Sequence, residues 1–179
     1  MTIAKMLLAA ASFAAASPAA AQAARAPAPL GDDAAACIAR AGPAIQVNVI
    51  GLKDRTGRLK LELYPDNEAD FLKDDHTLVK EGKFFRRVWA KTPAQGAVSL
   101  CIRAPHPGKY ALLFTHDRDL KNKFNFWQDG AGFVSMQRLG RTRPKVDQAE
   151  VAVGAGVTVV TIRVQYLRGV SGFAPVSNN

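Results

Sequence analysis

The chain has 179 residues, with 24 Lys and Arg against 15 Asp and Glu, a formal net charge of +9, 48% hydrophobic residues, 22% charged residues and two cysteines. That balance is globular, neither disordered nor collagen-like. One ordinary domain accounts for the length, which excludes two-domain enzymes and membrane transporters.

At the N-terminus Lys5 precedes the apolar run Met6–Ala16, and Ala21-Gln22-Ala23 gives a small-x-small cleavage pattern. A membrane-crossing helix needs about 20 apolar residues. The run is shorter, so residues 1–23 read as a cleaved signal peptide and not as a permanent anchor, and no later segment is long enough to span a membrane. Cleavage after Ala23 leaves 179 minus 23, or 156, residues and a charge of +8. The expected compartment is periplasmic or secreted, which sets nucleic acid aside as a partner.

Residues 24–44 read as an N-terminal arm, mobile over Ala24–Asp33 and helical for one turn at Ala34–Arg40, the turn that carries Cys37. The oxidising space outside the inner membrane permits Cys37 to pair with Cys101, the alternative being two buried thiols. Neither lies in a Cys-x-x-Cys redox spacing.

From residue 45 the period is two. Ile45, Val47 and Val49 alternate with Gln46 and Asn48, and Leu59, Leu61 and Leu63 alternate with Lys60 and Glu62. The intervening Lys53–Gly57 has the composition of a hairpin loop. Asn67–Lys80 loses the alternation and reads as a loop with a short helix. Strand character returns at Phe84–Ala90 and Ala97–Arg103, where Cys101 points away from the main core face. A disulfide there ties the arm to the outside of the sheet.

Pro107-Gly108 marks a turn, after which Tyr110, Leu112, Phe114 and His116 share one strand face. Asp117–Asp129 reads as a polar loop, Gly130–Val134 as a short strand and Arg138–Lys145 as a basic loop. The last strands are Gln148–Val153 and Val157–Tyr166, joined by Gly154-Ala155-Gly156. Residues 169–179 read as a disordered tail. The sum is an all-β fold, an antiparallel β-sandwich of about seven or eight strands over residues 45–168.

Asp117 and Asp119 are spaced like the first ligands of a calcium loop, with Asn125 at the ninth position. The rest of the pattern fails, with Lys121 at the fifth place, Asn122 at the sixth and Gln128 at the twelfth, while Asp129 falls one place late. No metal or other cofactor is expected on these grounds. His116 beside Asp117 or Asp119 resembles a general-base pair, but neighbours on a strand face opposite ways. His76, His106 and His116 have no metal-ligand spacing. A hydrolase using His116 therefore stands as the alternative to a non-enzymatic module. The candidate binding residues are Arg138, Arg141, Arg143 and Lys145, with Phe126 and Trp127 in an aromatic loop. Their partner would be an anionic envelope component or an envelope protein.

Pro107-Gly108-Lys109-Tyr110-Ala111, Phe114, His116-Asp117, Asp119, Lys123 and Gly130-x-Gly132-Phe133 resemble the central signature of a bacterial family, the domain of unknown function numbered 2141. Ile50-Gly51-Leu52, Gly57, Leu63-Tyr64 and Tyr166 are similar to its outer segments. The resemblance implies an exported all-β domain, a sandwich of transthyretin-like or immunoglobulin-like kind, without an established activity. Lys121–Asn125 departs from the Asp/Asn-Gly-Lys-x-Asp run found in such chains.

Overall fold

The computed structural model describes residues 27–176, so the proposed signal peptide lies outside the described residues. Helix α1 spans Ala34–Ile38, β1 Ala44–Ile50, β2 Arg58–Pro65, α2 Asp75–Lys80, β3 Arg86–Lys91, β4 Val98–Arg103 and β5 Gly108–Asp117. Then come β6 at Gly130–Gly132, α3 at Val146–Ala149, β7 at Glu150–Val153, β8 at Val157–Arg163, β9 at Gln165–Leu167 and β10 at Phe173–Pro175. The fold is all-β, a sandwich of a three-stranded sheet (β4-β1-β8) and a seven-stranded sheet (β10-β9-β6-β5-β2-β3, with β7 also on β5).

Alternation decides which side chains enter the space between the sheets. Ile45, Val47 and Val49 of β1, Val98, Leu100 and Ile102 of β4, and Ile162 of β8 meet Leu59, Leu61, Leu63, Leu112 and Phe114 of the larger sheet. The expected hairpin at Lys53–Gly57 is not one, because β1 and β2 belong to different sheets and the loop crosses between them. Both strands present apolar alternation to the same core, a pattern that a hairpin and a sheet crossing share. The Gly154–Gly156 connection likewise links β7 in one sheet to β8 in the other. The last expected strand divides at Val164 into β8 and β9, and β1 pairs with β8 in parallel. The pairing is therefore not wholly antiparallel, and the described residues form ten strands.

Two glycines make these crossings possible. Gly57 has φ +72°, and a Cβ there would stand 2.2 Å from the Asp117 carbonyl oxygen. At Gly132 a Cβ would stand 2.5 Å from Ile162 Cγ2 and 2.8 Å from the Arg163 carbonyl oxygen, where the chain leaves β8.

The arm is docked over its described part. Leu30 donates its N–H to the Ser99 carbonyl (2.8 Å) and accepts from the Cys101 N–H (3.1 Å) along the free edge of β4. Asp33, buried, accepts from Arg86 Nε (2.6 Å) on β3 and from the Arg103 N–H (2.8 Å) on β4. Burial acts to raise its carboxyl pKa, but the Arg86 and Arg103 bonds outweigh it and hold the group below its ordinary value. Cys37 and Cys101 form a disulfide with Cα atoms 6.0 Å apart, packed with Ala36 and Ala44 on the outer face of the small sheet. The expected disordered tail needs correction too over its described part, residues 169–176. Phe173 is buried, Phe173–Pro175 pairs with β9, and the Phe173 N–H donates to the Gly140 carbonyl at 2.6 Å.

Candidate functional site

The outer face of the seven-stranded sheet carries a second apolar cluster of Tyr64, Phe71, Leu78, Ala111, Ala131, Phe133, Leu139, Ala149 and Phe173. Three loops rise around it. Residues 66–85 include α2, capped where Asp74 accepts the Thr77 N–H at 3.1 Å. Residues 133–145 are held by the buried Gln165, whose Oε1 accepts the Leu139 N–H (3.0 Å) and whose Nε2 donates to the Gln137 carbonyl (2.6 Å). The third loop is 118–129. Between them lies a cleft of about 1,120 Å³, ample for a small organic ligand.

Much of the cleft surface is apolar, with Leu113 of β5, Ala131 of β6, Phe133, Leu167 of β9 and Phe173 of β10. Phe124 and Phe126 form a wall, their rings 5.2 Å apart and edge-on, and both reach the Phe173 ring at 5.8 and 6.3 Å. Lys60, Glu62 and Arg87 enter from β2 and β3. Glu62 is buried, lies 3.2 Å from Lys60 Nζ and accepts from Arg87 Nε at 2.8 Å, while Arg87 also reaches Asp75 at 2.7 Å. The alternation of β2 reads Lys60 and Glu62 as solvent-facing, yet both are buried beneath the loops. Glu62 and the tyrosine two residues on share this face, and burial with the nearby carboxylate raises the Tyr64 hydroxyl well above its usual range.

Seven Lys and Arg line the cleft against three Asp and Glu. The deep cations Lys60 and Arg87 are neutralised by Glu62 and Asp75. Lys73 pairs with Glu81, and Lys121 lies 3.7 Å from Asp119. Lys123, Arg141 and Arg143 make no ion pair among the described residues, although Arg143 donates to the Phe71 carbonyl at 2.8 Å.

Of the sequence-predicted binding residues, Arg141, Arg143 and Phe126 meet at this cleft. Arg138 instead donates to the Ser171 carbonyl (3.1 Å), and Lys145 stands at the N-terminus of α3, its N–H bonded to Gln148 Oε1 (3.0 Å). Trp127, 84% exposed, borders a smaller adjoining hollow of about 250 Å³. Leu113, Leu167 and Phe173 were not signalled by any local pattern, since the cleft assembles from distant segments.

His116 is fully buried and lies outside the cleft. Its Nε2 reaches the Thr56 carbonyl at 2.7 Å and its Nδ1 the Tyr166 hydroxyl at 2.7 Å, and that hydroxyl accepts the Lys53 N–H at 3.0 Å. A neutral ring with the proton on Nε2 satisfies every partner. Burial pushes the His116 pKa down, although the Thr56 bond opposes it, and burial pushes the Tyr166 hydroxyl up to about 12.

Asp117 is bonded to Arg58 Nε (2.8 Å) and the Asn122 N–H (3.3 Å), not to His116. Asp119 accepts from the Lys121 N–H (3.1 Å) and Asn125 Nδ2 (2.9 Å). The Asn125 bond holds the Asp119 pKa below its ordinary value. Asp129 takes the place sequence spacing gives to Asn125: Asp117, Asp119 and Asp129 each bring one carboxylate oxygen within 4.8 Å of the others. Asp129 accepts the Arg118 and Asn125 N–H groups, both at 2.8 Å. The trio thus organises the loop that carries Phe124 and Phe126.

A two-sheet all-β sandwich with a lateral cleft is the class that this architecture defines. The chain belongs to the family described as "Uncharacterized protein conserved in bacteria (DUF2141)", whose model matches residues 47–161. No curated protein and no solved structure is found to match it. Among the described residues, no helix is long and apolar enough to cross a membrane.

Proposed function

We propose that the protein is an exported, non-enzymatic binding module of the bacterial cell envelope that holds an anionic envelope component in the lateral cleft. The observation that carries this reading is the set of Lys123, Arg141 and Arg143, three cations without an ion-pair partner among the described residues, on one cleft. Charges of one sign around a concave, low-dielectric wall focus the field and draw in the opposite sign. Export is supported by the leader-like residues 1–23, and the Cys37–Cys101 bond suits an oxidising compartment. The alternative hydrolase reading gains no support from the geometry, because both ring nitrogens of His116 are used inside the fold.

The test is retention of the purified chain on immobilised heparin in a salt gradient. The triple variant K123E/R141E/R143E should elute at clearly lower salt, and Arg138→Ala should behave like the parent. Unchanged elution of the triple variant would overturn the role of the cleft.

A further inference from the structure

We infer that the cleft takes an anionic amphiphile, a single aliphatic chain carrying one charged head group. This rests on the proposed role of the cleft and names the ligand's chemistry. Two chemistries meet there in separate places. The chain would lie over Leu113, Ala131, Leu167 and Phe173 against the Phe124 wall, on strands already paired with one another. β10 is the outermost of those strands, and its edge at Phe173 is already bonded to Gly140 in both directions, so an extended peptide finds no ladder to join there. A sugar or an inorganic polyanion would leave the apolar floor in contact with water.

The head group falls to Lys123, Arg141 and Arg143, because the charges of Lys60 and Arg87 are already countered by Glu62 and Asp75. The mouth is consistent with such a ligand. Phe126 and Trp127 stand exposed beside Lys121 and Lys123, apolar rings next to cations, the combination that suits an anionic lipid surface.

The experiment is calorimetric titration of the purified chain with alkyl phosphates from butyl to dodecyl, each below its micelle threshold. Inorganic phosphate, dodecyl maltoside and heparin serve as comparison ligands. Each added methylene should tighten binding about fourfold until the floor is covered. Dodecyl phosphate should bind at least tenfold tighter than dodecyl maltoside. Leu113→Gln and, separately, Leu167→Gln, which add no charge, should flatten the chain-length series, whereas K123E/R141E/R143E should weaken every phosphate. Heparin retention with affinity independent of chain length overturns the amphiphile and leaves the anion-binding reading standing. Equal affinity for the maltoside overturns the charged head. Absence of binding to every anion, heparin included, overturns both readings. The series on the unsubstituted chain decides the matter even where a variant fails to fold.

Discussion

Replacing both cysteines in Cys37→Ala/Cys101→Ala removes a link that spans 64 residues of sequence. In the chain-entropy treatment, closing a loop of that length lowers unfolded-state entropy by about 14 cal/mol/K, equivalent to about 4 kcal/mol at 25 °C. The native geometry adds a local consequence. Helix α1 has five residues, too few to persist as an isolated helix, and it touches the body through Ala36, Cys37 and the neighbouring Asp33. Reduction of the native protein keeps the two sulfurs in place and isolates the effect of the link, whereas the alanine variant also loses packing against Ala36 and Ala44. Urea unfolding should therefore show a loss of about 4 kcal/mol on reduction and about 1–2 kcal/mol more in the variant. For a domain of this size the first figure corresponds to a Tm lowered by roughly 8–16 °C. Hydrogen exchange should quicken at the Ala39 and Ala41 amides, which bond to the Ala35 and Ala36 carbonyls. A loss below about 1 kcal/mol in both forms, with unchanged exchange at those amides, would refute the reasoning.

Other outcomes follow from the buried polar groups and the crossings. The folded His116 pKa is depressed, so on acidification the unfolded chain takes up the proton first, at the ordinary value near 6.5. Its contribution to stability is complete above that value and falls away below it, with a slope of up to about 1.4 kcal/mol per pH unit until the folded pKa is reached. Urea midpoints between pH 7.5 and 5 should show that slope in the parent and lose it in His116→Gln; equal slopes would contradict the assignment. Glu62→Gln leaves Lys60 buried without its carboxylate and should cost about 3–5 kcal/mol, while Lys60→Met/Glu62→Leu should cost less than Glu62→Gln alone. Gly132→Ala forces a methyl against Ile162 and the Arg163 carbonyl and should cost about 1–3 kcal/mol by thermal unfolding. A Gly132→Ala protein that melts with the parent would mean that β6 and β8 are not pressed together.

Period-two alternation marked nearly every strand because one face of each is buried, and the same feature placed Cys101 away from the main core. Alternation is silent about which sheet a strand joins. Ile45, Val47 and Val49 face Leu59, Leu61 and Leu63 across one core, so a seven-residue connector reads equally well as a hairpin or a crossing. It is also silent about loops that fold back. Lys60 and Glu62 read as outward residues on β2, which is true of their direction, but the outer face is roofed and they end up buried. The same roof gives Phe173 a partner in Gly140 and orders the expected tail over its described part. Arg141, Arg143 and Phe126 could be named from the sequence because charge and aromatic density cluster locally, whereas Leu113, Leu167 and Phe173 gain meaning only once three distant segments meet.

Gly57, His116, Tyr166 and Gly132 build the passage from β8 to β9 beside β6 and the loop before β2: one glycine clears Asp117, one clears Ile162, and the His116–Tyr166 pair ties Lys53 and Thr56 to the far end of the chain. Asp117 and Asp129 then set the base of the 118–129 loop through backbone N–H bonds. These residues face the fold and are absent from the cleft lining, whereas Tyr64, Lys123 and Phe133 reach it. The residues that face the fold therefore build a scaffold that presents three loops over one sheet face, and the chemistry of the cleft is carried chiefly by other residues. Arg141, Arg143 and Phe126 are of that kind, so changing them should alter what is bound while leaving the sandwich intact.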